Sequence, residues 1–154
     1  MTRARAALGL AAALLLGPAL AGCASDADAA GGGTPELTAE GAYIPRPPTA
    51  ELAGGFLTIE NTGDADDALT SVTSEAADSV EIHTTEGGTM HQADALLVPA
   101  GGELRLAHGG SHLMIMGLDS RPAEGDTVPI QLHFEKSPAI SLEVPVRPAT
   151  YTGE

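Results

Sequence analysis

Beyond residue 35 apolar residues recur at every second position, and clusters of Gly, Pro and Asp interrupt the alternation roughly every ten residues. A period of two sends successive side chains to opposite faces, so each run predicts a strand with one buried face. The clearest run is Thr127 to Glu135, where Ile130, Leu132 and Phe134 alternate with Gln131, His133 and Glu135. Ala139 to Val146 follows, with Ile140, Leu142, Val144 and Val146 on one face. Further strands are predicted at 38–44, 54–60, 68–73, 79–84, 95–98, 103–107 and 112–116, and only 65–78 leaves room for a helical turn. Many short strands separated by turn signals predict an all-β sandwich. With two Phe, two Tyr and no Trp in the chain, Leu, Ile and Val must supply its core.

The N-terminus follows a different pattern. Arg3 and Arg5 precede an unbroken apolar run from Ala6 to Leu16, and the segment closes on Leu20-Ala21-Gly22-Cys23. The run is shorter than the roughly twenty residues a membrane span needs. Residues 1–22 therefore read as a lipoprotein signal peptide, and cleavage would leave Cys23 as a lipidated N-terminus. Residues 23–34 are small and polar with nothing to bury, which predicts a flexible tether, and residues 35–150 suffice for one domain. The protein is thus expected outside the cytoplasm, anchored by lipid at the outer face of the cell membrane or in a periplasm.

Cys23 is the only cysteine, so its lipidation leaves no thiol for a disulfide, a thiolate metal site or a nucleophile. Loss of Arg3 and Arg5 with the leader leaves five basic residues against 21 acidic ones, a formal charge of −16. Phosphate repulsion over the whole surface excludes nucleic acid as a partner.

The chemical signal lies in the sulfur and imidazole side chains. Beyond Met1 there are three methionines, Met90, Met114 and Met116, and each lies within four residues of a histidine. A lone Met in a strand ordinarily fills gaps in the core. In His112-Leu113-Met114-Ile115-Met116, however, Leu113 and Ile115 share the face suited to the core, and His112, Met114 and Met116 share the other. The same alternation in Ser79-Val80-Glu81-Ile82-His83 buries Val80 and Ile82 and turns His83 outward. Two imidazoles plus thioethers, read as a donor set without a carboxylate and without cysteine, favour copper(I) over zinc, iron or manganese. A blue-copper electron carrier requires a Cys ligand, so carriage of the ion is expected in place of redox cycling.

The segment His83…Met90…His112-Leu113-Met114, followed by Gly117-Leu118 and Gly125-Asp126, resembles the PCuAC family of extracytoplasmic copper(I) chaperones. The spacing of Met90 from His112, with residues 91–111 between them, is that of the family signature. Tyr43-Ile44-Pro45 with Pro47-Pro48, Phe56-Leu57-Thr58-Ile59-Glu60-Asn61, and Asp67 before Leu69 extend the likeness over most of the domain. The resemblance implies a cupredoxin-like Greek-key β-sandwich, His83, Met90, His112 and Met114 as ligands of one Cu(I), and delivery toward the dinuclear copper centre of cytochrome c oxidase, directly or through its assembly factors. One departure stands out. The family places more residues between its first histidine and first methionine than the six between His83 and Met90, so this hairpin is expected to be short, with Glu86-Gly87-Gly88 in its turn.

Met116 is a nearby reserve ligand. His91 or His108 could substitute for Met90: His91 points away from Met90 in an extended strand, and His108 precedes the Gly109-Gly110 turn. His133 is expected to be solvated on a distant strand. The chain is not expected to be an enzyme. Its rival readings are a copper-buffering or uptake lipoprotein with the same site, and a metal-free assembly or adhesion module whose methionines pack in the core.

Overall fold

The computed structural model describes residues 32–153. The expected leader over 1–22, the lipidation site Cys23 and the tether as far as Ala30 and Gly31 lie outside the described residues.

Ten strands follow in order: β1 (Leu37–Pro45), β2 (Leu52–Asn61), β3 (Asp67–Thr73), β4 (Ala77–Glu86), β5 (Thr89–Gln92), β6 (Leu96–Val98), β7 (Gly102–Leu106), β8 (His112–Leu118), β9 (Thr127–Phe134) and β10 (Ile140–Arg147). Nine of them coincide with the predicted runs. The tenth, β5, is the outer arm of a hairpin and all four of its residues are exposed, so it carries no alternating burial for a sequence pattern to reveal.

No helical turn forms over 65–78, where the sequence left room for one; the segment supplies β3, a turn and the start of β4. Between Leu69 and Ser71 the register of β3 against β9 shifts, and the irregularity lets Leu69 and Val72, three residues apart, both face the core.

The strand order is β5-β4-β8-β2-β1-β10-β9-β3-β6, with β7 on the far half of β2. A pairing of β3 with β4 at Val72 and Val80 joins the order one strand in from each end, so seven strands close on themselves and β5 and β6 stay outside the closure. All pairs are antiparallel except β1 with β10, which run parallel at Ile44 and Val146. The interior is aliphatic. Ile44, Ile59, Leu69, Val98, Leu113, Ile115, Leu132 and Val146 are essentially inaccessible, and burial of each such side chain contributes on the order of 2 kcal/mol.

Two polar residues are buried with them. The Oδ1 of Asn61 accepts the N–H groups of Glu36 and Gly63 at 3.1 and 3.0 Å, and its Nδ2 donates to the carbonyls of Ala65 and Val98 at 2.9 and 3.2 Å. Asp67 accepts from the N–H groups of Ala68, Lys136 and Ser137 at 2.8 to 3.0 Å. Burial raises the pKa of Asp67, but hydrogen bonds from Ser137 and from the backbone of Ala68 and Lys136 outweigh it and hold the carboxyl below its ordinary 3.8. These two side chains replace missing ladder bonds in the loops at one end of the domain. At the C-terminus, packing continues through Tyr151, whose ring meets Tyr43 edge-on at 4.8 Å.

Strand β2 positions the site. Leu52 to Gly55 pair with β8, and Leu57 to Asn61 pair with β7. Gly55 lets β8 come close, because a Cβ there would stand 3.3 Å from the Cβ of Leu113.

Candidate metal centre

The antiparallel register of β4 and β8 sets His83 directly opposite His112, Glu81 opposite Met114, and Ser79 opposite Met116. Directly opposed residues share a face, so both histidines and both β8 methionines stand together on one side of the sheet. The other side is core: Leu113 and Ile115 are 2% and 0% exposed, and Ile82 is 4%. Leu113 and Ile115 thus share the core face and leave His112, Met114 and Met116 on the other, as the alternation predicts. That face is half-buried and not fully outward, since His83, His112, Met114 and Met116 all retain intermediate exposure.

Strand β5 completes the arrangement from the other edge of β4. Its register sets Gln92 opposite His83 and Met90 opposite Thr85. Met90 therefore lies on the His83 face, one diagonal step away, and is 54% exposed. His91 sits opposite Thr84 on the reverse face. The shortened hairpin keeps this geometry because Gly87 and Gly88 both take positive φ, 58° and 82°, a two-residue turn that other residues rarely form.

The two imidazoles are 5.8 Å apart between centroids and inclined by 37°. Each is oriented by one hydrogen bond, and through different nitrogens. His112 Nδ1 donates to the carbonyl of Gly110 at 3.0 Å, because a carbonyl can only accept. His83 Nε2 lies 2.8 Å from Glu81 Oε2. The Nδ1 atom of His83 is buried and has no hydrogen-bond partner.

The contact with Glu81 corrects the sequence reading, which took the donor set to be free of carboxylates. Glu81 is two residues from His83 on the same strand and so shares its face; the signal was in the alternation already applied to Val80 and Ile82.

An aromatic row continues the His83–His112 line across β2 and β1. Phe56 lies 6.4 Å from His112 and 5.3 Å from Tyr43 between centroids. His108, expected as a substitute ligand near this end, stacks on Phe56 at 4.0 Å and stands 6.5 Å from Tyr43. It does approach the same end of the domain, against an aromatic face. Burial, with the nearby Tyr151, pushes the Tyr43 phenol above its ordinary pKa. His133 is remote, and its Nε2 bonds Thr73 Oγ1 at 3.0 Å on the β3–β9 side. Met116 is next to Leu52, which is 45% exposed, at the end of the β8 face away from His83.

Among the described residues no cluster of three or more His, Cys, Asp or Glu is placed to hold a metal. What the face does offer is a pair of imidazoles with thioether side chains alongside, a soft donor environment.

This closed, all-β arrangement is the cupredoxin-like β fold of PCuAC domains. The apo PCuAC domain of PmoF2 superposes with a TM-score of 0.66 at 22% identity, over 77% of this chain and 94% of that domain. The solution structure of CuI-DR1885 from Deinococcus radiodurans matches with a TM-score of 0.64 at 26% identity, over 82% of this chain and 87% of that protein. Residues 37–146 match the LpqE-like family, and the chain belongs to it. A relative in Leifsonia xyli subsp. xyli (strain CTCB07), Lxx21020, bears a lipoprotein name and is 35% identical over 146 residues, covering 88% of this chain and 86% of its own length.

Proposed function

We propose that this protein is an extracytoplasmic copper(I) chaperone, anchored by lipid on Cys23, that holds one Cu(I) through His83, Met90, His112 and Met114 and passes it toward cytochrome c oxidase assembly. The observation that carries the reading is the facing pair His83 and His112, with Met114 and Met90 on the same face of the neighbouring strands. Thioether sulfur and imidazole nitrogen match the soft, singly charged ion. The likeness to CuI-DR1885, a copper(I)-loaded protein of the same fold, supports that choice. The lipoprotein name of the Leifsonia relative supports the anchor, and the oxidase as recipient follows from the resemblance to PCuAC chaperones. A carrier needs a site that takes the ion and yields it again; a partly exposed face with one 54% exposed thioether suits exchange better than a sealed cavity would. The protein acts as a carrier of copper and not as an enzyme.

The test is a titration of the full chain with copper(I) and with zinc. The reading expects one copper(I) per chain and a preference over zinc well above tenfold, lost when Met90 and Met114 are oxidised to sulfoxides, whose oxygen is a harder donor. Equal affinity for the two ions would point to a histidine-dominated site, and no binding of either would support the metal-free module.

A further inference from the structure

We propose that Glu81 is the positioning residue of the copper site, and that it makes the two histidines ligate through opposite ring nitrogens: His83 through Nδ1 and His112 through Nε2. The inference rests on the copper reading above and assigns what that reading leaves open, the ligating atoms and the group that selects them.

The hydrogen bonds decide the tautomers. An ionised carboxylate has no proton to give, so at 2.8 Å from Glu81 Oε2 the His83 Nε2 must carry the hydrogen. In the neutral ring this leaves the lone pair on Nδ1. That atom is buried without a partner, so its lone pair is unsatisfied until an electron-pair acceptor meets it. A bare lone pair waiting for a Lewis acid is the state that makes sense of the orphan. In His112 the arrangement is reversed. Nδ1–H is held by the Gly110 carbonyl at 3.0 Å, so the lone pair is on Nε2.

Glu81 also stands directly opposite Met114. Its negative charge is therefore beside both His83 and Met114, where it offsets the charge of a bound Cu⁺ without supplying a hard oxygen ligand. Carboxylates behind a metal-bound imidazole fix its ring orientation and raise its donor strength, and their removal typically costs on the order of 10- to 100-fold in metal affinity. Gln92, opposite His83 on β5, is exposed and makes no side-chain hydrogen bond among the described residues, so Glu81 alone holds the His83 ring.

The experiment is long-range ¹H–¹⁵N correlation NMR of the histidine side chains in the full chain, without and with one equivalent of copper(I), on the native protein and on Glu81→Gln and Glu81→Ala. The expected result without metal is a protonated Nε2 in His83 and a protonated Nδ1 in His112. Copper should move the ¹⁵N signals of His83 Nδ1 and His112 Nε2. Glu81→Ala should let the His83 ring populate both tautomers and lower copper(I) affinity by roughly 10- to 100-fold. Glu81→Gln, whose Oε1 can still accept from Nε2 but carries no charge, should keep the tautomer with a smaller loss. A copper-induced shift at His83 Nε2, or full affinity in Glu81→Ala, would overturn the proposal while leaving the copper site standing. No shift in either histidine would instead remove the copper reading on which it rests.

Discussion

His83 and His112 sit directly opposite each other on antiparallel strands, with their rings 5.8 Å apart and each tied down by one hydrogen bond of its own. The pair comes from chain positions 29 residues apart, and only the β4–β8 ladder makes them neighbours. Its two rings are oriented before any ion arrives, which lowers the ordering cost of binding.

Ligand truncations should therefore fall in a definite order. Cα atoms two apart on a strand are about 6.5 Å from each other and project the same way, so His112 and Met114 form a rigid half of the site on β8. Met90 is on the exposed arm β5. His112→Ala and Met114→Ala are each expected to weaken copper(I) binding by more than about tenfold, or ~1.4 kcal/mol. Met90→Ala should cost less, and Met116→Ala and His133→Ala should stay near the native value. Competition against a copper(I) chelator measures this, with circular dichroism to confirm folding. A larger loss for Met116→Ala than for Met114→Ala would move the ligand to Met116.

Stability should depend on the ionisation of Asp67. Its folded-state pKa is depressed below 3.8, so the stabilisation is fully present above that value and is lost as pH falls through the folded-state pKa. Asp67→Asn is expected to lower Tm at neutral pH by a few degrees, for a loss of about 1–2 kcal/mol. The gap between variant and native protein should narrow once pH drops below about 4. Thermal melts of both proteins at pH 7, 5 and 3 decide it; a gap that widens in acid contradicts the assignment.

Asn61 satisfies four backbone groups from three different segments with one side chain. Asn61→Ala would leave buried donors and acceptors unpaired and should cost roughly 3 kcal/mol, or about 10 °C in Tm. A change below about 0.5 kcal/mol would mean that water replaces the amide at no cost.

Cys23→Ala in the full chain should leave copper(I) binding intact, because the proposed ligands are on β4, β5 and β8, and should abolish retention on membranes after a high-salt wash. Stable anchoring needs more than one acyl chain, so the diacyl modification expected at a lipobox is what retention would report. Retention of the variant would sink the anchor.

The all-β fold was legible because its burial is periodic. Leu113 and Ile115, or Ile130 and Leu132, are core at two-residue spacing, and any strand with one dry face must show that pattern. Strand β5 shows no alternation of its own, since both of its faces meet solvent, and only the hairpin that the family likeness implies placed an extended arm there. The irregularity of β3 that turns both Leu69 and Val72 inward was not legible either, since it changes which residues face inward without changing the composition. Asn61 and Asp67 stood in the sequence as parts of a resemblance; their work as hydrogen-bond hubs depends on backbone groups from distant segments.

By itself the sequence determined the residue types that matter: no thiol beyond Cys23, a scatter of methionines each near a histidine, and strands that put His112 and Met114 on one face. A strand's alternation is local, so those facts needed no tertiary knowledge. Which strand lies beside which, and in what register, is settled by packing the whole barrel, and a slip of one residue would have turned His83 into the core. Only that packing set His83 across from His112, stacked His108 on Phe56, and brought Glu81 within hydrogen-bond reach of the His83 ring, because a contact of 2.8 Å requires positions that no local pattern specifies.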